Sequence, residues 1–249
     1  MPTRYYNNAP IAEAIINIQF RQIDPFNCAT IRALDKVFVD KFTTSTPIHW
    51  VEFNVIGLEP SGVPSAASTM PSEIGIRLSN LNNDRVLQIQ RGNFAFSHMA
   101  PYSSWGEFRA EAKPLWDKFV SNYCPIEVTR CSVRFINKIS IPHPSIELHD
   151  YFHLYPKIPK GISQDVNGML LQLQMPQSDI SSTAVINLAL AQPELPNHMT
   201  VVLDIDLVAE QPNLAPSSAD IWATLDKARN RKNELFESFI TDETRKLIA

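Results

Sequence analysis

At 249 residues the chain can form one large domain or two small ones, and 44% hydrophobic against 19% charged residues describe a folded rather than a disordered protein. A formal charge of -4 supplies no bulk pull toward nucleic acid or an anionic membrane, and no segment approaches ~18 consecutive apolar residues, so no membrane partner is expected. With only 7 glycines and no GxGxxG or GxxxxGK(S/T), the loops that cradle phosphates are excluded, and no cofactor is expected.

The three cysteines, Cys28, Cys124 and Cys131, have neither paired nor metal-binding spacing, which fits reduced thiols and a cytoplasmic location. The opening residues MPTRYYNNAP carry no apolar run of the signal-peptide type.

In chain order, Pro10 to Phe20 alternates as a strand with Ala14, Ile16, Ile18 and Phe20 on one face. After the Asp24-Pro25 break, Asn27 or Thr30 caps a helix striped by Ile31, Leu34, Phe38 and Phe42. Four strands are predicted next: Ile48 to Ile56, Glu73 to Leu78, Arg85 to Gln90 and Asn93 to His98. A Pro/Ser/Ala loop, Glu59 to Ser72, separates the first two. Ser103 or Ser104 caps a second helix to about Tyr123, with Pro114 expected to kink or interrupt it.

The longest strand-like run, Ile126 to Pro142, opens the second half. It is followed by a short turn at Glu147 to Phe152 and by strands at Asp165 to Met175, Thr183 to Leu190 and Thr200 to Ala209. Pro212 and Pro216 are expected to end the sheet. A long terminal helix follows, with Trp222, Leu225, Leu235, Phe236, Phe239 and Leu247 as its stripe.

The halves resemble each other, as an internal duplication or as the chance likeness of amphipathic helices. Pro10-Ile11 leads to Phe20 as Pro125-Ile126 leads to Phe135, and Leu115-Trp116 with Phe119 matches Leu235-Phe236 with Phe239, at offsets of 115 and 120 residues. The predicted fold is α+β: a broad, curved, mostly antiparallel sheet backed on one face by helices, a pseudo-duplicated β-α-β4-α unit of saddle-like form. Residues 1–124 and 125–249 are the two halves, sharing one continuous sheet within a single domain.

Candidate binding residues fall on the polar parity of the strands. Asp204 and Asp206 project from one face, where they can hold a divalent cation or pair with Arg130 and Arg134; a solvated face is the plain alternative. Glu13 is a lone acid on that face. Asn137 lies three residues from Arg134, so both face one side only if a bulge intervenes near Ile136. Phe94, Phe96 and Tyr102 can stack bases if exposed, with core packing the alternative. The run Lys227, Arg229, Arg231 and Lys232 is a basic patch that can meet phosphate or serve as a solvated helix face. His149 and His153 have helical chelating spacing but no third ligand nearby, and no legible nucleophile–base pairing supports catalysis.

Several segments together carry a resemblance. These are Ala9-Pro10-Ile11 with Glu13, Arg134 to Ile139 with Pro142, Leu203 to Asp206, and Phe236-Glu237 with Ile240-Thr241-Asp242. In order and spacing the chain resembles a sporadically distributed family of bacterial and archaeal proteins of about this length, which has no established activity, cofactor or substrate. Where that family often carries a His in its last helix, this chain has Ala228 or its neighbours. The patchy distribution implies an accessory, horizontally moved gene in host–phage or similar conflict. The resulting expectation is a non-enzymatic cytoplasmic binding protein with a protein partner, an accessory component of an antiviral defence or toxin–antitoxin-type system. Nucleic-acid binding, an enzyme acting on a phosphorylated or acidic small molecule, and homo-oligomerisation stay open.

Overall fold

Alternating apolar residues in each half build one face of a single sheet, and the amphipathic helices cover that face. In the computed structural model, which describes residues 4, 6–22, 27–50, 53–58, 64–68, 72–161 and 166–249, the elements run in chain order as follows. The first half contains β1 (Ile11–Arg21), α1 (Cys28–Phe38), β2 (Thr44–Trp50), β3 (Phe53–Leu58), β4 (Pro64–Ser68), β5 (Ser72–Ser79), β6 (Arg85–Gln90), β7 (Asn93–Met99) and α2 (Trp105–Tyr123). The second contains β8 (Glu127–Ile141), α3 (Leu148–Tyr151), β9 (Leu170–Gln177), β10 (Ser182–Ala191), β11 (Met199–Leu214), α4 (Asp220–Phe239) and α5 (Asp242–Ile248). The Asp24-Pro25 break, Asp165, and parts of the predicted strand and loop between Trp50 and Ser72 lie outside the described residues.

Nine strands form one open antiparallel sheet in the order β2-β5-β6-β7-β1-β8-β11-β10-β9, and the fold is α+β. This order reads as two meanders back to back. Strands β1 and β8 meet at the centre, β7 and β11 flank them, then β6 and β10, then β5 and β9. Strands β3 and β4 pair separately, so a strand occupies part of the predicted Pro/Ser/Ala loop.

The covered face joins Ala14, Ile16 and Ile18 of β1, Phe94 and Phe96 of β7, and Val133 and Phe135 of β8, all buried. Register places Ile16 opposite both Phe96 and Val133, so these residues share one side. Helix α2 lays Phe108, Trp116 and Phe119 on that side; Phe96 stacks on Phe108 at 5.4 Å, and Phe20 meets Phe119 at 5.1 Å.

Local capping chemistry matches the sequence. Asn27 accepts from Ala29 N–H at the start of α1, and Ser104 accepts from Glu107 N–H at the start of α2. Pro114 does not interrupt α2. It sits on the exposed side, where water can meet the carbonyl that its missing N–H leaves free, while the buried stripe from Phe108 to Phe119 holds both turns to the sheet. Nor does Pro212 end the sheet. Strand β11 continues to Leu214 through a register shift after Glu210, an irregular stretch where a ladder N–H is dispensable. The terminal helix is two helices. Ile240 is extended and bridges Phe152, and this buried contact breaks the run between α4 and α5.

Gly75 of β5 is a residue the packing requires: a Cβ there would lie 2.3 Å from the carbonyl oxygen of Ile89 on β6. Gly75→Ala is expected to destabilise the fold by about 1–3 kcal/mol, read as a lower urea midpoint at unchanged slope.

Candidate functional site

The predicted bulge near Ile136 exists, but on the neighbouring strand. Ile11 pairs with Asn137 and Glu13 with Ile136, so Ala12 is the extra residue of β1. Strand β8 itself keeps an unbroken register against β11 from Arg130 to Ile141. Arg134 and Asn137 therefore point to opposite faces, and the bulge turns Ile11 away from the side of Glu13 and toward the helices.

On the face away from the helices, Arg134 grips Asp204 with two charge-assisted hydrogen bonds of 2.9 and 2.7 Å. Asn187 donates to the same carboxylate at 3.0 Å, and Gln172 donates to Asn187 at 2.8 Å. Four adjacent strands are thus tied by one polar ladder. The Asp204 carboxylate is the acceptor at its centre, and its hydrogen bonds hold the Arg134 guanidinium above its ordinary pKa.

Asp206, the register partner of Arg134, loses that guanidinium to the diagonal Asp204. One Asp206 oxygen is buried without a partner among the described residues, and burial raises its pKa. Arg130 stands 3.6 Å from Glu210, and Glu13 contributes only an electrostatic pull on Arg134. The structure thus brings Arg134 and Asp204 together in the ladder, sets Asp206 beside it with one oxygen unpartnered among the described residues, and leaves Asn137 apart.

Asn137 instead lines a cleft of about 1160 Å³ on the helix side. Its amide donates to the Leu203 carbonyl at 2.9 Å. The cleft lies between the N-terminal segment, the turn from Ala100 to Trp105 that leads into α2, Phe135 and Asn137 in the middle of β8, and one side of α4. Tyr6 closes it by donating to Glu237 at 2.7 Å. Arg245 of α5 holds the other Glu237 oxygen at 3.1 Å, and the Asn8 N–H reaches the Ile248 carbonyl at 3.2 Å.

The basic run on α4 divides across the helix. Lys227 is exposed. Arg231 pairs with Asp179 and with Glu234, the latter at 2.8 Å. Arg229 lines the cleft with only an Asn230 side-chain oxygen at 3.2 Å as hydrogen-bond partner among the described residues. Lys232 is 6% exposed, with its Nζ 3.9 Å above the centre of the Phe135 ring. The four cations therefore do not form one phosphate-facing patch, because helical rotation sends Lys232 inward and neighbouring acids occupy Arg231.

No carboxylate pairs with Lys232 among the described residues. Burial, and then the Arg229 charge, lower its pKa to about 7 against the weaker pull of Glu237. Tyr102 packs edge-on against the same Phe135 ring at 5.5 Å, and its hydroxyl is buried without a partner among the described residues. Burial raises the Tyr102 pKa, with Arg229 opposing.

Phe94 and Phe96 are core residues, 0% and 1% exposed. Sequence reading placed Lys232 in a basic run, yet its spacing from Leu225, Ala228, Leu235 and Phe236 puts it on the apolar stripe of α4, and that signal was available. Among the described residues no cluster of three metal-ligating side chains occurs, and no helix is long and apolar enough to cross a membrane. No protein-family model and no curated protein matches the chain.

Lys232 costs stability where it sits. Its folded-state pKa of about 7 lies below the ordinary 10.5, so between these values the unfolded chain keeps a proton that the folded one has released. The cost is therefore full at and below about pH 7 and fades toward pH 10.5. Lys232→Met should raise stability at pH 7 by about 1–4 kcal/mol, with the gain shrinking as pH rises, measured by urea denaturation across that range.

Arg134→Met should cost about 1–3 kcal/mol, because it leaves the buried Asp204 carboxylate short of two donors. The cost should shrink markedly in an Asp204→Asn background, and a double-mutant cycle with no coupling would remove the ladder as a source of stability.

Proposed function

We propose that the protein is a cytoplasmic binding protein that holds an acidic small molecule in the cleft beneath α4. The observation that carries this is Lys232: an ammonium-bearing side chain buried in a large concavity, with no acid paired to it among the described residues. Natural proteins seldom bury a lysine without a partner, and a ligand carboxylate or phosphate would supply the missing countercharge. Arg229 offers a second cation on the same wall. The first turn of α2, with Ser104 and Gly106 at the rim, offers N–H groups and the positive end of a 19-residue helix. Phe135 and Tyr102 supply an apolar floor for the body of the ligand.

The ligand is an acidic small molecule, as one alternative in the sequence allowed, and its site is the cleft rather than Arg134. The nucleic-acid alternative on α4 loses its support, since Lys232 points inward and Arg231 is engaged. A protein partner in a defence system draws no support from any particular surface among the described residues. The three free cysteines fit a reducing compartment.

The test is calorimetric titration and thermal shift with citrate, pyrophosphate and adenosine monophosphate at low and high salt. At least one should bind with a Kd on the order of micromolar, and Arg229→Gln should weaken it by on the order of tenfold. The absence of heat and of any melting shift with all three would sink the proposal.

A further inference from the structure

We propose that Lys232 is a nucleophile, and that the ligand is a small oxo acid whose carbonyl carbon it attacks to form an imine. This rests on the binding reading above and adds a reaction to it. A lysine amine attacks only when neutral, so a site for this chemistry must desolvate the amine, withhold carboxylates from it and leave its lone pair facing a cavity.

Lys232 is desolvated and borders a cavity: it is 6% exposed, it lines the cleft, and its Nζ is positioned 3.9 Å above the Phe135 ring centre. Two acids of its own helix line the cleft, and both are engaged: Glu237 by Tyr6 at 2.7 Å and Arg245 at 3.1 Å, and Glu234 by Arg231 at 2.8 Å. Arg229, on the same helix, disfavours a second positive charge and can hold the acid group of the substrate. With a pKa of about 7, a large share of the amine is neutral at physiological pH.

A proton donor is also present. Tyr102 packs on the Phe135 ring and carries a buried hydroxyl with no partner among the described residues. Its raised pKa keeps it in the acid form at neutral pH.

The step balances without an external oxidant or reductant. The nitrogen lone pair forms the C–N bond while the carbonyl π electrons move to oxygen, which takes the Tyr102 proton. The nitrogen then returns one proton to the phenolate, giving a neutral carbinolamine. The nitrogen lone pair next expels the hydroxyl, which leaves as water with a proton from Tyr102. The iminium proton returns to Tyr102, leaving an imine and one water.

The test is reductive trapping. The full-length protein is incubated with glyoxylate or pyruvate and sodium cyanoborohydride, and the adduct is located by peptide mass spectrometry. Lys232 should be labelled faster than the exposed Lys113 and Lys227 by on the order of tenfold or more, with the rate rising through about pH 7. Lys232→Arg should lose the adduct at this position, with its urea midpoint reporting that it folds; should that variant not fold, the wild-type map decides alone. Tyr102→Phe, which keeps the ring in the cleft, should slow trapping at Lys232 while leaving the trapping rates of Lys113 and Lys227 unchanged. Labelling spread evenly over the surface lysines, or no adduct at Lys232 while citrate still binds, overturns the imine chemistry and leaves the binding reading standing. Loss of both overturns the two together.

Discussion

The antiparallel pairing of β1 with β8 is the constraint on which the rest of the structure depends. It runs from Ile11 opposite Asn137 to Arg21 opposite Glu127 and is the seam across which two meanders become one sheet. Both strands bury alternate residues on the same face, so the seam also fixes which side the helices must cover. Once β1 and β8 are paired, β7 and β11 can add only on their outer edges, and the remaining strands follow by hairpins. The mirrored order about the centre follows from that single pairing, and agrees with the repeated segments in the sequence.

The cleft lies where the two halves stop resembling each other. At the offset that matches Leu115 with Leu235, the buried Phe108 and Ala112 of α2 correspond to Ala228 and Lys232 of α4. In the first half the Phe108 ring fills the space above the sheet and stacks on Phe96. In the second half an alanine withdraws that ring, and a lysine takes a core position over Phe135. Volume is lost and a charge is gained at neighbouring places on one helix. A difference of this kind leaves a cavity with a buried charge in an otherwise apolar layer, at a cost in stability.

The opposite face of the sheet uses its polar residues differently. Gln172, Asn187, Asp204 and Arg134 form a ladder across four strands in which each donor meets an acceptor. Such a ladder pins register, because a one-residue slip of any strand would turn its member to the other face. Asp204 is nearly buried while Arg134 remains partly exposed, so the pair is anchored at the acid and open at the base. Arg134 and Asp204, which look most like a ligand site in the sequence, thus satisfy one another, and on this face it is the neighbouring Asp206 that keeps an unpartnered oxygen among the described residues.

Much of the fold was legible because it rests on local patterns. Period-two alternation marked the strands of both meanders, and Asn27 and Ser104 marked helix starts. What the sequence could not express were effects of contact between distant segments. Helix α2 runs through Pro114 because its buried stripe is held by the sheet. Helix α4 ends at Ile240 because Phe152 bridges it. The bulge inferred from Arg134 and Asn137 falls in β1 because a register mismatch can be absorbed by either partner. By itself the sequence determined the strands and their covered face, since these follow from the spacing of apolar residues along the chain. Only the tertiary structure decided the site: whether a charged side chain is satisfied or stranded depends on which partners the fold brings within hydrogen-bond reach, and spacing along the chain does not encode that distance.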